Sequence, residues 1–164
     1  MHETVKTMRR EYLDTLDQNN LELLPDIDAW HFCDNKKDAD KCAHLVLIGK
    51  KRATSPSVWE LKINNQKTPE VTDLNLITNW DGIAQCIIQT VVVEIVPFNK
   101  VTSMHAGLEG EGDGSLQYWR NVHQAYYERV LEGSRYLFQN DMPVIFEQFE
   151  VVYPTTQLFD WVCK

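Results

Sequence analysis

Apolar positions along this chain recur at helical spacing, change to strand spacing past the first third, and return to helical spacing near the end. Val5, Met8, Tyr12, Leu13 and Leu16 form a stripe that predicts a first helix over residues 4–18, ended by Asn19-Asn20. Leu23-Leu24-Pro25 and an extended Ala29-Trp30-His31-Phe32 follow. A second helix is predicted from an N-cap at Asp34 or Asn35 to Ile48. Ala39, Cys42, Ala43, Val46 and Leu47 face inward, and Gly49 is its stop. Ser57-Val58-Trp59-Glu60 fits a capping box, so a short helix is expected after Pro56.

From Leu74 the period changes to two. Leu74-Asn75-Leu76-Ile77 leads into Asn79-Trp80-Asp81-Gly82, a hairpin turn signal. The return strand runs from Ala84 through a β-branched stretch to Val96, closed by Pro97, as a strand buried on both faces or curling into a barrel requires. A short helix is expected near 100–108 and a longer one from Ser115 to Leu131. The latter carries Leu116, Trp119, His123, Tyr126, Tyr127 and Val130 on or near one face. Val144 to Tyr153 reads as a last strand. The expected architecture is α+β: a small mixed β-barrel with flanking helices.

Size and charge narrow the picture further. At 164 residues the chain is expected to be one domain with a real core. No apolar run is long enough to span a bilayer, and the first residues show no signal-peptide core, so no membrane partner and a cytoplasmic location are expected. The net charge of −8 argues against a protein that coats DNA. Residues 36–52 depart from this balance, with six basic residues against Asp38 and Asp40. A small basic mouth on an acidic protein suits one anionic ligand or a short single strand.

The four cysteines are scattered, and reduced thiols are expected. His31, Cys33, Cys42 and His44 are zinc-ligand types. Cys42 and His44, however, are two steps apart on a helix, about 200° around its axis. No metal is expected there.

Two loops do not read as core. Gly49-Lys50-Lys51-Arg52-Ala53-Thr54-Ser55 sets three cations beside two hydroxyls after the second helix. Glu109-Gly110-Glu111-Gly112-Asp113 sets three carboxylates among glycines before the aromatic helix. Together they offer a nucleophile, a base and an acid. Each also has a structural reading. The cations suit a helix C-terminus, Glu111 and Asp113 suit the following helix N-terminus, and Asp113 is read as a cap. Trp119, Tyr126 and Tyr127 are read as core, and His105 and His123 as structural.

Leu45-Val46-Leu47-Ile48-Gly49-Lys50-Lys51-Arg52-Ala53-Thr54 resembles the signature turn of ASCH domains, members of the PUA-like β-barrels. Glu109-Gly110-Glu111-Gly112-Asp113, with Ser115-Leu116, Tyr118, Trp119 and Arg120, resembles the second block of one bacterial branch. The similarity covers about residues 26–153 and leaves 1–25 as an N-terminal helical extension. The resemblance implies association with RNA, and in one compact branch hydrolysis of N4-acylated cytidine by a lysine, a threonine and a glutamate. Carried over by position, these are Lys51, Thr54 and Glu109; apart from the resemblance, Lys50, Arg52, Ser55, Trp59 and Glu111 are expected around the substrate. The chain departs from the broad signature at Thr54 and Pro56, where Glu and Arg are frequent, and at Cys33, where relatives tend to have glycine.

The chemistry needs each residue type. A threonine hydroxyl requires a base, and a lysine can be that base only as a neutral amine, toward which burial beside Lys50 or Arg52 would push it. Glu109 would protonate the leaving cytosine amine or position Lys51. No cofactor is required for this. In a phosphodiester reading Lys51 stays charged against phosphate, and Glu111 with Asp113 could hold a hydrated Mg²⁺. The expected partner is a nucleoside or single-stranded RNA, with a noncatalytic RNA-binding module as the alternative. Oligomeric state is not legible in the sequence.

Overall fold

A computed structural model of the chain describes residues 1–16 and 27–154. The elements in order are α1 (Glu3–Thr15), β1 (Ile27–Trp30), α2 (Lys36–Leu47), β2 (Ala53–Thr54), α3 (Val58–Ile63), β3 (Leu74–Thr78), β4 (Ala84–Pro97), α4 (Ser103–Glu109), α5 (Leu116–Val130) and β5 (Pro143–Tyr153). A single 3-10 turn, Phe98–Lys100, joins β4 to α4. Each of these except the two-residue β2 follows the hydrophobic pattern to within a few residues. The Asn19-Asn20 stop, Leu23-Leu24-Pro25 and Cys163 lie outside the described residues.

The caps are formed by the side chains that signalled them. Asn35 Oδ1 accepts from the Asp38 amide at 3.0 Å, and Gly49 leaves α2 with φ +70°, a left-handed exit that a residue with a Cβ adopts only at a cost. Ser57 and Glu60 close the reciprocal capping box at the start of α3. The Thr102–His105 pair does the same for α4, with histidine in the place usually taken by Glu or Gln.

The strands hydrogen-bond in the order β1-β3-β4-β5-β2. The α+β class with flanking helices holds. The order is open, with β1 and β2 at its ends rather than joined as in a closed barrel. β2 is two residues long, and its ladder is taken up by β5.

The chain packs as two compact units, one built on Met1–Gly49, Thr72–Gln89 and the chain from Glu150 on, the other on Lys50–Val71 and Thr90–Phe149. In the first, α1 is a core element. Val5 and Tyr12 are buried with Ile27, Leu76 and Ile87. Full burial of such a side chain is worth about 1.5–3 kcal/mol, enough to fix a helix whose intrinsic propensity alone would leave it marginal. β1 runs parallel to β3 from Ile27↔Leu74 to Trp30↔Ile77, and β3 runs antiparallel to β4. The Trp30 indole donates to Asn75 Oδ1 at 2.9 Å, and the Ala84 amide donates to Thr4 Oγ1 at 2.9 Å.

In the second unit Phe98, Trp119, Tyr127, Leu131, Met142 and Val144 form the core, with Trp59, Tyr126 and Tyr136 packed against it. β2 pairs antiparallel with β5 through Ala53↔Gln148 and Thr54↔Glu147. The pairing extends on both sides. The Phe149 amide donates to the Arg52 carbonyl and the Ile145 amide to the Pro56 carbonyl, each at 2.9 Å. The chain near 52–57 is therefore extended, and its side chains alternate between two faces. Lys51, Ala53, Ser55 and Ser57 are buried on one side, while Lys50 and Arg52 are exposed.

Among the described residues no helix is long and apolar enough to cross a membrane.

Candidate functional site

The alternation around β2 decides which of the predicted residues meet. Lys51 turns inward and its Nζ lies 3.3 Å from Glu109 Oε2 and 2.5 Å from Glu111 Oε1. The lysine and Glu109 side chains are 1% and 2% exposed, whereas Glu111 is 21% exposed and covers the ammonium. Four residues beyond Lys51 on the same side, Ser55 Oγ donates to Glu109 Oε1 at 2.5 Å. The two loops read from the sequence do converge.

Their approach is fixed by backbone as well as charge. The Arg52 amide donates to the Leu108 carbonyl at 2.8 Å, tying the basic turn to the last turn of α4. Gly110 ends α4 at φ +65°, and a Cβ there would overlap the Lys50 carbonyl. Only glycine permits that approach.

α5 supplies the remaining wall. Trp119, His123 and Tyr127 are spaced four apart and so share a helical face. Trp119 Nε1 donates to Glu109 Oε1 at 2.5 Å, and the Tyr127 hydroxyl donates to the Ser55 carbonyl at 2.6 Å. The His123 ring stacks on the indole, with centroids 4.0 Å apart, and its Nε2 is 3.5 Å from Glu109 Oε2. His123 Nδ1 meets the Trp119 carbonyl at 2.9 Å. A carbonyl only accepts, so that nitrogen carries the hydrogen of this contact.

Glu109 thus has the Ser55 and Trp119 donors on Oε1, and Lys51 and His123 beside Oε2. Burial by itself would raise its carboxyl strongly. The His123 and Lys51 charges, with the Ser55 hydrogen bond, outweigh burial and hold the group well below the ordinary carboxylate range. Tyr127 moves the other way. Burial first, then the Glu109 charge, raises its hydroxyl far above the usual value, so it stays a neutral donor.

Other predicted residues go elsewhere. Thr54 is one step out of phase with Lys51 and Ser55, so its side chain shares a face with Glu147, its cross-strand partner. Glu147 is itself buried and accepts from Thr90 Oγ1 at 2.6 Å. The Lys50 and Arg52 side chains are exposed, and they contribute backbone rather than head groups to the geometry above. Trp59 stacks on Tyr136 with centroids 5.2 Å apart and planes 9° apart. Asp113 Oδ1 accepts from the Ser115 amide at 2.8 Å, the turn role expected for it. Among the described residues no three His, Cys, Asp or Glu side chains converge as a metal-binding set.

His123, read from the sequence as structural, is brought against Glu109 and Trp119, a placement the sequence did not announce. Its spacing of four from Trp119 and from Tyr127 was visible. The face of α5 that meets Glu109 was not.

A family profile described as the ASCH domain matches residues 28–153. The chain belongs to the ASCH domain family. Two solved structures resemble this ASCH domain along nearly all of its length. One is an ASCH domain from Lactobacillus crispatus JV V101, 32% identical, with a TM-score of 0.85 over 93% of this chain and 96% of that one. The other is a protein from Enterococcus faecalis V583, 30% identical, with a TM-score of 0.79 over 93% of this chain and 90% of that one. No curated protein matches the chain. The matched residues include both loops of the recess.

Proposed function

We propose that this ASCH domain hydrolyses the amide of a small acylated nucleobase, of the N4-acylcytidine kind, in the recess formed by Lys51, Ser55 and Glu109. The observation that supports it is a hydroxyl 2.5 Å from a buried, ionised carboxylate, with an ammonium on the other oxygen of that carboxylate. Hydroxyl, proton acceptor and fixed positive charge are the parts an acyl transfer needs.

In this reading Ser55 Oγ attacks the acyl carbon and its proton passes to Glu109 Oε1. The Lys51 ammonium faces the oxyanion, and Glu109 returns the proton to the departing cytosine amine. Water then releases the acid from the acyl-serine. Glu111 must swing off Lys51 for the carbonyl to reach it, and it is the more exposed of the two carboxylates. A lysine bracketed by two carboxylates serves as a cation rather than as the neutral base the sequence suggested. A carboxylate held so low is also a weak base, so turnover is expected to be slow. Thr54, the threonine implied by the family resemblance, has its side chain on the other face and takes no part.

One observation favours a noncatalytic alternative. Glu109 already meets Ser55, Trp119, Lys51 and His123, and a saturated carboxylate suits a rigid nucleoside- or RNA-binding wall. Incubation with N4-acetylcytidine and with a short labelled RNA, each with and without Mg²⁺, separates the two. Release of cytidine without Mg²⁺ is the expected result. Retention of the RNA with no product assigns the binding role, and Mg²⁺-dependent RNA cleavage assigns phosphodiester chemistry. Lys51→Arg keeps the charge but supplies no neutral amine. Residual turnover in that variant agrees with the electrostatic role, and none returns the base role to Lys51.

A further inference from the structure

Cys33 and Cys42, in the first unit, bring their sulfurs to 3.7 Å, and both are thiols. We infer that this pair is a reversible disulfide site, with Cys33 as the cysteine that meets the oxidant and Cys42 as the one that resolves it. Three features argue for it. The sulfurs are 3.7 Å apart, in van der Waals contact and less than about 2 Å short of bonding distance. Access is asymmetric, since Cys33 is partly exposed and Cys42 is buried on the inner face of α2. Finally, Cys33 occupies a left-handed conformation, φ +61°, where a side chain is costly and glycine would fit. A cysteine held in such a position and turned onto a second thiol calls for a reason beyond packing.

Zinc does not supply that reason. His31, the nearest candidate in sequence, points its Nδ1 at the Phe32 carbonyl and packs its ring on Trp80, and His44 is exposed. Among the described residues no three His, Cys, Asp or Glu side chains gather there, and a zinc site takes three or four ligands. Cys86 is a contrast within the same unit. It is fully buried, its thiol is pushed up to about 12 by that burial, and it is no part of the pair.

The chemistry closes with a peroxide as oxidant. The Cys33 thiolate takes one oxygen from hydrogen peroxide to become the sulfenic acid, and hydroxide leaves. The Cys42 thiol displaces the sulfenic oxygen, which departs as water, and the S–S bond forms. With oxidised glutathione the same pair is reached by two exchanges that release two molecules of reduced glutathione.

The test uses the full chain. Trypsin cuts after Lys36, Lys37 and Lys41, so Cys33 and Cys42 fall on different peptides, the latter Cys42–Lys50. After mild hydrogen peroxide and alkylation, a non-reducing map is expected to show these two peptides joined in most molecules, two hydrogens lighter than their sum and separated by dithiothreitol. In Cys33→Ser, Cys42 is expected to remain fully alkylatable. The inference is overturned if Cys33 is found over-oxidised while Cys42 stays a thiol, if Cys33 links instead to Cys86 or Cys163, or if Cys42 is oxidised as readily in Cys33→Ser.

Discussion

The same three charges occur twice in this molecule, with opposite physical meaning. Lys36 in the first unit reaches Asp40 at 3.1 Å and Asp81 at 2.6 Å, and Lys51 in the second reaches Glu109 at 3.3 Å and Glu111 at 2.5 Å. The distances are nearly interchangeable. The Lys36 side chain is 53% exposed, the Lys51 side chain 1%. Water and salt screen the first triad, so it is a solvated surface contact. The second has lost its hydration and depends on its partners. Proximity of charges therefore says little about a site until burial is known.

The largest expected effect comes from breaking the buried triad. Lys51→Met should cost about 3–5 kcal/mol in urea unfolding, because it strands Glu109 away from water with one cation fewer. Lys36→Met should leave the melting temperature unchanged within error. Similar losses in the two variants would mean that burial does not separate the two triads.

Acid sharpens it next. The Glu109 carboxyl is lowered in the folded chain, so its contribution to stability is full above its ordinary value of 4.5 and is lost as pH falls below that, toward the lowered folded value. Thermal melts from pH 7 down to pH 3 should show this loss. Glu109→Gln should be less stable at neutral pH and show a shallower decline.

A smaller effect separates the hydroxyls. Ser55→Ala removes a donor from a buried carboxylate and should cost about 1–3 kcal/mol and, on the proposed chemistry, abolish cytidine release. Thr54→Val should retain cytidine release. Activity lost in Thr54→Val and kept in Ser55→Ala would reassign the nucleophile. Least of all, raising salt to 1 M should leave the stability difference between wild type and Lys51→Met in place.

Most of the fold could be read in the sequence because its signals are local. Asn35 and Gly49 bound α2, Ser57 and Glu60 start α3, and Asn79 to Gly82 turn β3 into β4. Each depends on residues a few positions apart. The site was legible in part for the same reason. Lys51 and Glu109 stand out as unusual loop residues, and the structure brings them together. What failed to show depends on register. Whether Ser55 or Thr54 faces Glu109 is set by the β2–β5 pairing, across nearly a hundred residues, and a one-step shift exchanges them. His123 needed the orientation of α5. The open strand order needed the length of β2, which no alternation of two residues can announce.

The contact of Gly110 with the Lys50 carbonyl has a mechanical corollary. With the Arg52 amide bonded to the Leu108 carbonyl, this close approach holds the start of the acidic loop against the residue beside Lys51. Uncovering the ammonium is therefore expected to move Glu111 and the chain after it while Gly110 stays in place.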